Sequence, residues 1–154
     1  MAIKIFKENM IEKFKKEAVA LYDYTSSKNM IGNPNYNSKY SVKLGKSLDK
    51  IVKEIINSPS DMDEFIKLLD SKELLIAYLA SEYLYPVKPT KCLSIMRKFY
   101  EENNDEIDRF TIKTKIEGIS AHQVFFMETY KKLYNCENLD SLNRENNINA
   151  IWFK

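Results

Sequence analysis

The chain has 154 residues, 44% of them hydrophobic and 30% charged, with three glycines, four prolines and two cysteines. That length fits one domain with a real core, and the composition excludes wholesale disorder and a turn-rich β-sandwich or barrel. Net charge is only +2, yet residues 1–53 carry eleven lysines against five acids and residues 54–110 carry twelve acids against seven bases. A chain this dipolar gives no argument for nucleic-acid binding from its total charge.

The first ten residues lack the apolar core of a secretory signal, and no apolar run approaches the roughly 20 residues that span a bilayer. Cys92 and Cys136 stand far apart without a CxxC partner. They read as reduced thiols of a cytoplasmic protein.

Apolar spacing is helical nearly throughout. Phe6, Met10, Phe14, Ala18 and Leu21 predict a first helix over 5–24. In "SSKNMIGNPN", Gly32 closes a segment, Asn33 offers a cap and Pro34 suits a first helical position. Tyr36, Tyr40, Leu44, Leu48, Ile51 and Ile55 form the stripe of a second helix, interrupted by Gly45. After "NSPSD", with Ser58 or Ser60 as cap, a short third helix over 60–69 buries Phe65, Ile66, Leu68 and Leu69.

Leu74 to Ala80 are all apolar. A helix over 72–85, opened by an Asp70–Glu73 capping box and closed before Pro86, is greasy on every side and must lie in the middle of a stack. The alternative, a buried parallel strand, suits neither its length nor Ala77, Ala80 and Glu82. Cys92 to Tyr100 give a fifth helix, and Ile107 to Ile119 a sixth. A shift of 32 residues lays Leu75, Tyr78, Ala80 and Leu84 on Ile107, Phe110, Ile112 and Ile116, the period of an α-solenoid unit. Ser120 and Gln123 can cap a last helix over 121–135, and Ile151, Trp152 and Phe153 are expected to dock as a closing cap.

"FIKLLDSKELLIAYLASEYLYPV" resembles the HEAT-repeat consensus, with Leu68, Leu69, Asp70, Ala77, Ala80 and Leu84 in its characteristic places. "DEIDRFTIKTKIEGI" is similar to a degenerate second copy that keeps Asp108 and Arg109. The chain from about residue 10 to 130 thus resembles a family of small bacterial armadillo/HEAT-like domains of unknown function. The resemblance implies an all-α superhelix of about six to eight helices in one domain. A leading pair would occupy 5–57, two HEAT-like units 60–119, and a closing helix and tail 120–154. It implies a binding surface and brings no catalytic residues.

Chemistry-bearing motifs are sparse. His122, the lone histidine, falls in the first turn of the predicted last helix with no HExxH or second ligand, and reads as a cap or surface group. Gly32, Gly45 and Gly118 are isolated and make no phosphate loop. No cofactor or metal is expected, and the chain reads as a non-enzyme. Asp61, Asp63 and Glu64, then Glu101, Glu102, Asp105 and Asp108, fall at predicted helix starts and loops. There they read as solubilising acids or as a docking edge for another protein, with Tyr100 as its apolar anchor. The ten tyrosines favour interfaces. The expected function is therefore protein binding in a bacterial cytoplasm, in its most concrete form an immunity protein that blocks a basic toxin. The alternative is a HEAT-like DNA-repair protein resembling the alkylated-base glycosylases. That class needs a face rich in Arg, Lys and aromatics, and this chain offers Arg97, Arg109 and Arg144 alone.

Overall fold

The computed structural model describes residues 9–85 and 87–117. The expected closing helix, His122, Cys136, Arg144 and the apolar tail lie outside the described residues. Among the described ones there is no strand. They form α1 (Met10–Tyr24), α2 (Ser27–Met30), α3 (Ser38–Ile56), α4 (Pro59–Lys67), a 3-10 turn (Leu68–Asp70), α5 (Leu74–Leu84), α6 (Pro89–Glu102) and α7 (Glu106–Glu117). No helix among them is long and apolar enough to cross a membrane.

The helix starts show which local signals won. α1 runs from Met10, and residues 5–8 of the expected first helix lie outside the described residues. Asn9 is extended, and its side chain accepts from the Ile11 amide at 2.8 Å, which makes it the cap. α3 begins at Ser38 and not near Pro34. Asn33 spends its side-chain Oδ1 on the Asn35 amide in a local turn, leaving Asn37 to cap by accepting from the Lys39 amide at 3.0 Å. The short α2 was not foreseen. Gly32 follows it with φ of 71°, a left-handed conformation that favours glycine.

Two further caps differ from expectation. The Ser58 hydroxyl makes no cap bond to α4; it faces the Ser60 hydroxyl at 3.5 Å. The Asp70–Glu73 capping box does not form either. Asp70 sits in the 3-10 turn and pairs with Lys91, and the Glu73 amide donates to Ser71 Oγ.

α5 is the hub that its composition demanded. Ile76 through Ser81, with Tyr83 and Leu84, are buried, and α1, α4, the 3-10 turn and α6 pack around them. Ala77 and Ala80 keep those neighbours close. Ser81 is tolerated at full burial because its hydroxyl donates to the Tyr78 carbonyl at 2.6 Å. Phe14 of α1 packs edge-on against Phe65 of α4 at 4.8 Å and against Tyr83 of α5 at 5.9 Å, which locks three helices together. Burying a side chain such as Phe14 contributes about 1.5–3 kcal/mol. On the other flank Tyr78 stacks on Phe99 of α6 at 4.1 Å, and the Tyr22 ring lies edge-on to both. α3 covers α1 and α4, while α7 packs on α6.

Candidate functional surfaces

The acids singled out in the sequence fall into two groups. Asp61 is half-exposed in the first turn of α4, where its charge suits the helix dipole, and Asp63 and Glu64 are exposed. Glu64 takes Lys67 one turn on, at 3.1 Å. The second group surrounds the α6–α7 turn. Glu101 accepts from Arg97 Nε at 3.2 Å, and Glu102 is exposed. Asp105 Oδ1 accepts from the amides of Asp108 at 2.9 Å and Ile107 at 3.0 Å. Those bonds, the Asp108 amide first and the Ser27 hydroxyl besides, hold Asp105 below the usual carboxylate range. Asp108 reaches across the fold and accepts from the Ser27 amide at 3.0 Å, tying α7 to the start of α2.

Tyr100 is half-buried beside this second group. Arg109 sits over its ring at 4.6 Å, so a cation already occupies one face of the expected anchor. Arg97 and Arg109 are therefore both engaged within α6 and α7. The first acid group is carried by α4 and the second by α6 and the start of α7, and α5 packs against both α4 and α6. Among the described residues no three His, Cys, Asp or Glu side chains form a group able to hold a metal.

Reactive chemistry is muted inside the fold. Cys92 is fully buried, and desolvation pushes its thiol up to about 12, so it carries no thiolate at neutral pH. Burial, then the nearby Glu82 carboxylate, raises the Tyr78 hydroxyl well above its ordinary value. Burial also raises Tyr22, helped by Asp108. A crevice lined by Tyr22, Thr25, Ser26, Tyr78, Asp108, Thr111 and Ile112 has room for about one water molecule.

One grouping was not singled out from the sequence. Tyr24 stacks on Tyr36 at 5.1 Å and meets Tyr40 edge-on at 4.9 Å, at the surface where α1 ends and α3 begins. The only signal available for it was the tyrosine content itself, since rings 12 and 16 residues apart converge only after the α2 turn has formed.

No known family model matches this chain, nor does any curated protein or solved structure.

Proposed function

We propose that the chain is a non-catalytic protein-binding module of a bacterial cytoplasmic protein, built as a HEAT/armadillo-like stack whose acids dock a cationic partner. An immunity protein that neutralises a basic toxin is its most concrete form. The observation that carries this reading is the placement of the acids. Asp63, Glu64, Glu101, Glu102 and Asp105 are all exposed to solvent. Exposed carboxylates of one sign steer cations over about 10 Å at moderate salt. The ion pairs that Lys67 and Arg97 make with them are surface pairs of about 0–1 kcal/mol, which a partner's lysines and arginines can replace.

The test neutralises Asp61, Asp63, Glu101 and Glu102 together, as Asp→Asn and Glu→Gln. It leaves Asp105 and Asp108, which hold backbone amides. Association is measured by surface plasmon resonance against the product of an adjacent toxin gene, at low and at high salt. The expected result is an association rate severalfold slower at low salt, converging with the unsubstituted chain as salt rises. An unchanged rate would mean that the acids only solubilise helix ends. Tight duplex-DNA binding in the absence of any protein partner would favour the glycosylase-like alternative.

A further inference from the structure

A second surface, of opposite charge, lies where α1 hands over to α3. Between Asp23 and Asp49 the sequence contains no acid, while Lys28, Lys39, Lys43 and Lys46 all fall there. Lys28 alone of these is paired among the described residues, with Asp23 at 3.6 Å. The same segment holds Ile31, Tyr40 and Val42, which are 53%, 46% and 55% exposed. They are three of the five large hydrophobic side chains left exposed among the described residues. Concentration of both features in one short segment is what a docking surface needs and a merely solvated face does not.

The segment is also held in shape. Tyr24 Oη accepts from the Asn37 amide at 2.9 Å and donates to the Asn37 carbonyl at 3.3 Å, which clamps the turn before α3 onto the end of α1. Asn29 Nδ2 donates to the Asp23 carbonyl and Asn33 Nδ2 to the Asn29 carbonyl, which fix the turn around Gly32. Tyr36 donates to Ser41 Oγ. A surface ordered before binding loses little entropy on binding, and tyrosine adds large contact area at small rotamer cost.

We propose that this surface docks an acidic segment of a partner protein, one in which Asp or Glu residues meet the lysines and apolar side chains cover Tyr40 and its exposed neighbours. The inference rests on the chain being a protein-binding module and gives that module a second face for a partner of opposite charge. A protein fits better than single-stranded nucleic acid. Tyr24 spends its ring on Tyr36 and Tyr40, the hydroxyls of Tyr24 and Tyr36 are committed, and the segment has no arginine to fork onto phosphate. Ile31 and Val42 gain from burial against apolar side chains and not from a phosphate backbone.

The experiment pans a displayed random-peptide library on the full chain and measures the enriched peptides by fluorescence anisotropy. The expected winners combine Asp or Glu with aliphatic or aromatic residues. Their affinity should fall about tenfold or more in a Lys39→Glu/Lys43→Glu variant and about tenfold in Tyr40→Ala. It should be unchanged when Asp61, Asp63, Glu101 and Glu102 are neutralised. The two lysines are exposed, so their variant keeps the test alive if circular dichroism shows Tyr40→Ala to be misfolded. Basic winners lost only in the acid-neutralised variant would uphold the proposed function and overturn this inference. Acidic winners indifferent to the lysine variant, no enrichment at all, or oligothymidylate binding the same residues more tightly than any peptide would each overturn it too.

Discussion

α5 and α7 match in sequence at a spacing of 32 residues, and the fold uses them in different ways. Leu75 is half-buried, but its counterpart Ile107 is 45% exposed; Tyr78 is fully buried, but Phe110 is 67% exposed. Ala80 and Ile112, a further matched pair, both reach the core. The cause lies in the neighbours. Among the described residues, α5 is covered by α1, α4, the 3-10 turn and α6, whereas α7 packs chiefly on α6. Their starts differ in a complementary way. Glu73 gives α5 no side-chain cap, while α7 opens on an aspartate that takes two backbone amides. A matched apolar pattern therefore says that two segments are helical, and it leaves open whether burial or capping holds each in place.

The largest way to break this comparison is truncation. Leu79→Ala in α5 should cost about 2–5 kcal/mol in chemical denaturation, because it empties space on a helix with no free side. Phe110→Ala in α7 should cost less than about 1 kcal/mol despite the larger side chain removed. Equal losses would mean that α7 is as deeply built in as α5.

A smaller effect sharpens the capping side. Asp108→Ala removes the acceptor of the Ser27 amide, a side-chain bond that links α7 to α2. The expected loss is about 1 kcal/mol, accompanied by faster hydrogen exchange at Ser27. Unchanged exchange at Ser27 would show that the amide finds water just as readily.

Tyr78→Phe installs in α5 the ring that α7 carries at the matching place. The Tyr78 hydroxyl is buried beside Glu82 yet makes no hydrogen bond of acceptable geometry among the described residues. The Phe99 stacking partner is unaffected. Removing an unsatisfied buried hydroxyl should be neutral or stabilising, within about 1 kcal/mol. A clear loss would instead place a water in the crevice that Tyr78 lines.

What the sequence disclosed follows the same division. α5 was legible because an apolar run closed by Pro86 leaves a helix no option but burial. The exposure of the acids at 63–64 and 101–106 was legible too, since carboxylates at helix ends lose little by staying wet. Partners distant in the chain were not. Asp70 looked like a cap from its spacing to Glu73, yet Lys91 claims it. Nothing local announced that Asp108 would reach Ser27. The tyrosines were equally mute: Tyr78 and Tyr85 are fully buried while Tyr40 is 46% exposed, and residue type cannot sort them.

The smallest effect is also the most selective, because it should loosen α7 and spare α5. Asp105 is exposed, yet the amides of Asp108 and Ile107 and the Ser27 hydroxyl favour its ionised form in the folded chain. Its folded pKa is thus depressed relative to the unfolded chain. The stability it adds is complete above the unfolded value of about 3.9 and is lost as pH falls through the lower folded value. Acid should therefore release the first turn of α7. α5 has no side-chain cap to titrate, and its start should hold over the same range. Hydrogen exchange at Ile107 and Asp108, normalised for intrinsic rate, should accelerate as pH falls below about 4 and before exchange at Leu79 does. Asp105→Asn keeps an oxygen acceptor without the charge, and it should flatten that acid dependence. If Leu79 opens in step with Ile107, the two helices unfold as one unit, and the division between a buried helix and a capped one fails.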